Sequence, residues 1–327
     1  MRIPAPLRDR GIDRAVAFSI PMTTRFRRID VREGVLLHGP AGWAEFSPFR
    51  DYDAGESAAW LRAALEDATT ARPAARRTTI PVNATIPVVD PQRAQRIVRE
   101  SGARTAKVKV ADPGSSLEAD VERVAAVRDA LGPGGRVRID ANAAWTLEEA
   151  LRAVPVLDRA AGGLEYVEQP VAALEDLAEL RSRLDVPVAA DELVRRAEDP
   201  LRVARARAAD VLVLKVQPLG GVQRCLDLAA EAGLPVVVSS AVETSIGLSA
   251  GLALAAALPE LPYACGLGTG SLLTTDVVAT DDRLVPTAGE LPVTRPPLAP
   301  ETVESPTDPE VGQYWQHRLT DCAARLA

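Results

Sequence analysis

Two lysines stand two residues apart in the stretch 105–110, Thr-Ala-Lys-Val-Lys-Val. The stretch reads as a short strand, in which side chains alternate between faces, so Lys107 and Lys109 point the same way. Two ammonium groups side by side on a buried face repel each other and are costly to desolvate, and such a cost points to a function. The chain holds 38 Lys plus Arg, and only Lys107, Lys109 and Lys215 are lysines. Elsewhere a cation is written as Arg, which keeps its proton near neutrality, whereas a crowded Lys can release it. The three lysines are therefore candidates for chemistry that needs a deprotonatable amine. The plain alternative is that they are chance survivors on solvated faces.

Three acids follow at equivalent places on successive predicted strands. Asp140 ends Arg138-Ile139-Asp140-Ala141-Asn142, Glu168 ends Tyr166-Val167-Glu168-Gln169-Pro170, and Asp191 ends Ala190-Asp191-Glu192. Any one of them alone reads as a helix cap or a solvated acid. Three in register would repel badly without a cation, and three hard oxygen donors plus water suit Mg²⁺ or Mn²⁺. The lysine pair on the second strand and Lys215 on the sixth would then flank the metal. A metal and a second cation both disfavour the charged form of a lysine, which makes it a base able to take a proton from carbon. The metal would stabilise the oxyanion formed when a proton leaves a carbon next to a carboxylate. The residues thus point to proton abstraction α to a carboxylate.

The elements that must position these groups follow from periodicity. Short strands are expected at 25–33, 35–37 and 42–46, with a turn around Gly39-Pro40 and Gly42, and a helix over 57–71. From residue 78 strands and helices alternate. Strands are predicted at 79–89, 106–110, 136–141, 164–168, 186–190, 210–216, 235–239 and 263–266. Helices are predicted at 91–101, 116–131, 147–157 (opened by Thr146 as N-cap), 174–184, 194–206, 222–232 and 244–258. Strict alternation means parallel strands, and eight of them close into a barrel with chemistry at their C-terminal ends. The fold class is α/β, a modified TIM barrel, (β/α)7β, with a small α+β capping domain. Residues 1–77 form the cap, 78–270 the barrel, and 271–327, with a last helix over 310–326, fold back on the cap. A doubly wound sheet would want a Gly-rich loop after its first strand, where this chain has Asp90-Pro91-Gln92.

Composition excludes other classes. An apolar fraction of 47% with 25% charged residues is that of an ordinary globular protein, and a net charge of −7 argues against nucleic acid. Residues 1–14 lack an apolar signal segment, and the longest apolar run, 246–258, is too short to span a bilayer. Cys225, Cys265 and Cys322 have no metal or redox spacing, which fits a reduced, cytoplasmic setting. His38 and His317 sit in no motif, so neither a histidine triad nor a His-rich zinc site is expected. Trp60 and Leu61 read as core of the capping helix, Trp43 as either core or mouth, Cys265 as a small buried hydrophobe, and the Arg run over 194–207 as a solvated helix face.

The Lys-x-Lys strand, Asp-x-Asn, Glu-Gln-Pro, Asp-Glu and the sixth-strand Lys resemble, in this order, the enolase superfamily and its muconate-lactonizing branch. Within that branch the match is to the o-succinylbenzoate synthase family of the compact actinobacterial kind. It is carried by Arg32-Glu33-Gly34-Val35-Leu36-Leu37, by residues 42–49 with Asp51-Tyr52 (Ala44 standing where Gly is common), by Arg138, and by Ser239-Ser240-Ala241-Val242-Glu243-Thr244-Ser245. The resemblance implies a cap over a (β/α)7β barrel and a metal-assisted syn dehydration of 2-succinyl-6-hydroxy-2,4-cyclohexadiene-1-carboxylate to 2-succinylbenzoate, in menaquinone biosynthesis. It implies Lys109 as the base that later helps hydroxide leave, Mg²⁺ on Asp140, Glu168 and Asp191, Lys215 opposite as electrostatic support, and Lys107 tuning Lys109. Arg138, Ser239, Ser240, Gly266 and Gly268 would hold the substrate, a small carboxylate; no nucleic acid or membrane partner is implied. The loops around 14–25 that usually close over the substrate look trimmed. Racemisation of N-acylamino acids, dipeptide epimerisation and cycloisomerisation remain open, because two opposed lysines suit them equally. A non-catalytic barrel binding a small acid is the alternative from another class.

Overall fold

The computed structural model describes residues 1–26, 29–196, 199–304 and 308–326. Three strands begin it: β1 (Arg14–Phe26), β2 (Ile29–Gly39) and β3 (Gly42–Phe46), paired antiparallel in the order β1-β2-β3. The sequence expectation of a trimmed loop over 14–25 is corrected here, since that segment is a long edge strand. Pro21 sits within it, and only an edge strand tolerates a residue with no N–H. The Pro21 carbonyl accepts from Thr274 N at 3.0 Å, so residues near 274 cover the open edge. Of the strand expected at 25–33, positions 27 and 28 lie outside the described residues.

The helix Ala54–Thr69 closes the cap, opened by Asp53, whose carboxylate accepts from Glu56 N at 2.8 Å. Such a cap contributes about 1 kcal/mol. Its inner face buries Trp60 and Leu61 (1% and 0% exposed) against Phe46, Phe49 and Tyr52. Phe49, Tyr52 and Trp60 meet edge to face with centroids 5.8–5.9 Å apart. The last helix, Pro309–Ala323, adds Trp315, Leu319 and Cys322 to the same core.

The barrel strands follow: β4 (Thr79–Pro81), β5 (Ala84–Ile86), β6 (Thr105–Lys109), β7 (Arg136–Asp140), β8 (Leu164–Glu168), β9 (Val188–Ala190), β10 (Val211–Leu214) and β11 (Val236–Val238). Strands β5 to β11 form one parallel sheet in chain order. The expected eighth strand is reduced to two parallel bridges, Val82↔Cys265 and Ser239↔Gly266, with Asn83 N donating to Cys265 O and Gly266 N to Val238 O. Those bonds join β11 back to the β4–β5 segment and complete the ring. The single strand expected over 79–89 is two strands: β5 enters the ring, while β4 pairs antiparallel with β12 (Glu290–Pro292). The helix expected over 194–206 is two short pieces, Glu192–Arg195 and Arg202–Arg205, with 197 and 198 outside the described residues. The sixth strand stops at Leu214, and Val216–Leu219 is a helical turn. Among the described residues no helix is long and apolar enough to cross a membrane.

Candidate active site

Parallel register stacks the inward side chains in two layers. Cα partners Thr85, Lys107, Arg138 and Tyr166 run across β5 to β8 as the lower layer, and Lys109, Asp140 and Glu168 across β6 to β8 as the upper one. The period of two in each strand makes this inevitable: Lys107 and Lys109, or Arg138 and Asp140, share a face but not a depth. Asp191 and Lys215 follow directly after β9 and β10. Counting the ring from β5, Lys109 stands on the second strand and Lys215 on the sixth, across the barrel from each other.

Every acid of the expected set is held by a cation. Lys107 Nζ reaches both oxygens of Glu168 at 2.8 Å and lies 3.5 Å from Asp140. Lys109 Nζ donates to Asp140 and, at 2.7 Å, to Asn142 Oδ1. Lys215 Nζ donates to Asp191 Oδ2 at 2.6 Å, and Arg195 Nε to Asp191 Oδ1 at 3.0 Å. Asp140, Glu168 and Asp191 are at most 1% exposed, and the three lysines at most 9%. Burial alone would depress Lys107, but the Glu168 and Asp140 carboxylates outweigh it and hold its pKa above the usual lysine value. Burial raises Asp140, but the charges of Lys109 and Lys107 pull it below the carboxylate range. Glu168 goes the other way, pushed up to about 7 by burial and by the neighbouring Asp140 charge. Lys107 is thus a partner of Glu168 here, rather than a free cation beside Lys109.

Second contacts fix these groups. Gln169 Oε1 accepts from the backbone of Asp191 and Leu193 at 3.0 and 3.1 Å, and its Nε2 donates to Val171 O. Arg195 also bonds Glu192 and the Tyr52 hydroxyl of the cap. The Arg run is therefore not a uniformly solvated face, since Arg195 is buried while Arg196 is exposed. Asn142, Ala143 and Gln169 have φ of 46°, 62° and 37°. Left-handed residues directly after β7 and β8 turn the chain sharply where the polar groups sit.

Of these side chains, Lys107, Lys109, Asp140, Asn142 and Lys215 line a cavity of about 20 Å³ together with Phe26, Thr85, Ser239, Ser240, Val242, Gly266 and Thr269. The Phe26 ring centroid lies 5.2 Å from Lys109 Nζ. Of the expected substrate contacts, Ser239, Ser240 and Gly266 are on the wall, and Arg138 and Gly268 are not. Arg138 is 0% exposed in the lower layer, donating to Glu165 at 2.5 Å and Ala264 O at 2.8 Å and stacking on Tyr166. Depth is not the reason, since Thr85 and Lys107 of the same layer do reach the wall; Arg138 is instead taken up by Glu165 and Ala264 O. Trp43 packs beside His38 at 4.9 Å, off the cavity wall. Phe26, Thr85 and Thr269 were not singled out from sequence, and Asn142 and Val242 entered only inside the Asp-x-Asn and 239–245 motifs, with no role of their own. Only Asn142, in Asp-x-Asn, carried a local signal, because Asn tolerates the left-handed turn.

Among the described residues no three acidic side chains close on one point, each being turned onto its cation. The donor set nevertheless fits a hard divalent ion: three buried carboxylates at the ends of successive strands, with burial first and the Asp140 and Asp191 charges after it raising Glu168.

Residues 91–299 match the family described as Enolase C-terminal domain-like, and residues 17–68 that described as Enolase N-terminal domain-like. The chain is 60% identical over 312 residues to the o-succinylbenzoate synthase of Thermobifida fusca, covering 95% of this chain and 96% of that protein. It is 50% identical over 323 residues to the o-succinylbenzoate synthase of Mycolicibacterium smegmatis, 98% of each. Among solved structures, a dipeptide epimerase from Enterococcus faecalis superposes with a TM-score of 0.73 at 23% identity, over 88% of this chain and 98% of that one. A muconate lactonizing enzyme from Pseudomonas fluorescens gives 0.72 at 23%, over 93% and 99%. Likeness at that identity speaks for the barrel and cap alone.

Proposed function

This chain belongs to the o-succinylbenzoate synthase family of the enolase superfamily, and from that premise we propose that it dehydrates 2-succinyl-6-hydroxy-2,4-cyclohexadiene-1-carboxylate to 2-succinylbenzoate. It is a carbon–oxygen lyase acting in menaquinone biosynthesis, in the cytoplasm, where its three buried thiols stay reduced. The observation that supports the mechanism is Lys109 on the second strand and Lys215 just after the sixth, both lining one cavity, with Asp140 and Glu168 in register beside Lys109 and Asp191 bonded to Lys215.

Lys109 takes the proton from the carbon α to the substrate carboxylate. Its Nζ now donates to Asp140, a contact it gives up to face the substrate. The electron pair left behind expels hydroxide, which takes that same proton from Lys109 and leaves as water, while the ring becomes aromatic. Lys215, approaching from across the barrel, offsets the negative charge that builds up in between. Asp140, Glu168 and Asp191 would hold Mg²⁺ or Mn²⁺, whose charge opposes that of the substrate carboxylate. Asn142 keeps Lys109 aimed, and Lys107 keeps Glu168 in place. Ser239, Ser240 and Gly266 offer polar contacts to the succinyl arm on the cavity wall.

The test is a spectrophotometric assay of the purified protein with the cyclohexadiene substrate, with Mg²⁺ and with chelator, and with Lys109→Ala as control. Fast metal-dependent conversion lost in K109A is expected. No conversion, but deuterium exchange at the α-carbon of N-succinylamino acids, would move the protein to the racemase chemistry that two opposed lysines also permit.

A further inference from the structure

The loop after β11, residues 239–244, supplies Ser239, Ser240 and Val242 to the cavity. Its backbone is unusual at one point: Val242 has φ of 63°. A β-branched residue in the left-handed region is a genuine outlier, and it persists only where surrounding contacts over-determine it. Those contacts come from the cap. Arg32 on β2, 2% exposed, donates from Nε to Val242 O at 2.9 Å. Its other nitrogens donate to Ser47 Oγ at 2.7 Å, to Ser47 O and to Glu33 O, and its guanidinium lies over the Phe49 ring. The guanidinium is thus fixed by cap residues, with Nε aimed at a carbonyl of the barrel loop.

Glu45 on β3 holds the far end of the same loop. Its carboxylate accepts from Thr244 N, Thr244 Oγ1 and Gly247 N at 3.0, 2.5 and 3.2 Å. Inside the loop, Val242 N donates to Ser240 Oγ, which pairs with Thr269 Oγ1, and Ala241 N donates to Glu243. Turning Val242 into an ordinary conformation would break the Val242 N–Ser240 bond and move both side chains on the cavity wall.

We propose that Arg32 is a positioning residue: by gripping Val242 O from the cap, it holds the 239–244 loop in its strained form and so sets Ser240 and Val242 against the substrate. The cap then contributes to binding without touching the substrate at Arg32. Substrate contact by that loop rests on the function proposed above.

The test is a double-mutant cycle of R32K, V242G and the combined variant, read by steady-state kinetics and by amide hydrogen exchange over residues 239–247. R32K is expected to raise KM about tenfold, as the loop spends less time in its competent form, with kcat within about twofold. Exchange at Ala241 and Val242 should rise in the same variant. Glycine adopts positive φ without penalty, so in the V242G background the R32K effect on KM should shrink to about threefold or less. A purely structural role for Arg32 would lower thermal stability and leave KM and the cycle additive. Additivity, or unchanged exchange in R32K, overturns the proposal. If R32K does not fold, S47A removes one anchor of the guanidinium and should raise KM and loop exchange in the same direction; no change in either overturns it. If the wild-type protein does not turn over the cyclohexadiene, the dehydration is refuted, while hydrogen exchange still decides the role of Arg32.

Discussion

Glu45→Gln should flatten the dependence of stability on pH between about 4.5 and 7. Glu45 is buried at the junction of cap and barrel, and four donors, from Ser47, Thr244 (two) and Gly247, point at its oxygens. Burial is the largest influence and raises its pKa, the Arg32 charge opposes this, and the neighbouring Glu243 adds to the rise; the balance is a pKa of about 7 against an ordinary 4.5. Arg32 and Glu243 are the charged groups that face it, and Glu243 is itself raised. A carboxyl with a raised folded pKa binds its proton more tightly folded than unfolded. Its contribution is therefore complete below 4.5, falls as the pH rises towards 7, and stays lost above that. The difference of 2.5 between the two values, at 1.36 kcal/mol per unit, is on the order of 3 kcal/mol. Urea unfolding from pH 4 to 8 should show the wild type losing much of that amount across the window and E45Q losing far less. Glu168, also raised to about 7, contributes equally to both proteins and cancels in the difference. Parallel curves for the two proteins, or a wild-type stability that rises from pH 5 to 7, would refute the burial argument.

Two further substitutions test other joints. Gly221 has φ of 135°, and a Cβ there would lie 2.2 Å from Glu66 Oε2, the carboxylate that accepts from Val222 N and Gln223 N and caps the helix Val222–Ala232 from the cap domain. G221A should cost about 2 kcal/mol or more in urea unfolding, from strain plus a lost cap, with kcat unchanged; a loss under about 0.5 kcal/mol would show that Glu66 swings away freely. R195A removes the buried guanidinium joining Asp191, Glu192 and Tyr52. It should weaken Mn²⁺ binding by calorimetry about tenfold or more, as expected when an oriented ligand loses its partner, and an unchanged affinity would remove Asp191 from the ligand set.

The parts of the fold that were legible in the sequence are those where local and long-range preferences agree. The helices Pro91–Ser101 and Val222–Ala232 and the strand Leu164–Glu168 have their expected bounds. Asp90 before Pro91, and Thr146 before Leu147 with Glu149 completing a capping box, mark helix starts by side-chain chemistry alone. The first strand of the cap was illegible because its buried positions do not keep a strict alternation (Ala17 and Phe18 are both buried) and Pro21 breaks the pattern; its pairing partner and the chain over its edge make it a strand. The eighth barrel strand is two bridges because Pro262 and Gly266 flank a segment needed only to close the ring. In the site, alternation picked the inward face of each strand but not which inward side chains reach the cavity: Thr85, Lys107 and Arg138 share a layer, and Arg138, expected at the substrate from the family resemblance, is engaged by Glu165 and Ala264 O. Phe26, Val242 and Thr269 were missed for a different reason: they reach the cavity from a cap strand and from loops after strands, where no period links a residue to the site.

All three lysines of this Arg-rich chain line one cavity, and none lies on the solvated surface. A structural cation in this protein is a guanidinium, as Arg32, Arg138 and Arg195 show, each binding several acceptors at once from a buried position. Guanidinium suits that task because its planar fork meets fixed acceptors and never loses its charge. The same property disqualifies it where an amine must be neutral at one moment and charged at the next. Lys107 needs only charge, since it holds Glu168 through both oxygens, yet it too is lysine. Its own layer is already filled on the adjacent strand by Arg138 against Tyr166. A compact ammonium takes up less room beside that stack than a second planar fork on the neighbouring strand would. Charge alone therefore does not account for the retained lysines: the proposed mechanism asks proton transfer of Lys109 and a point charge across the ring of Lys215, and at Lys107 the difference is volume.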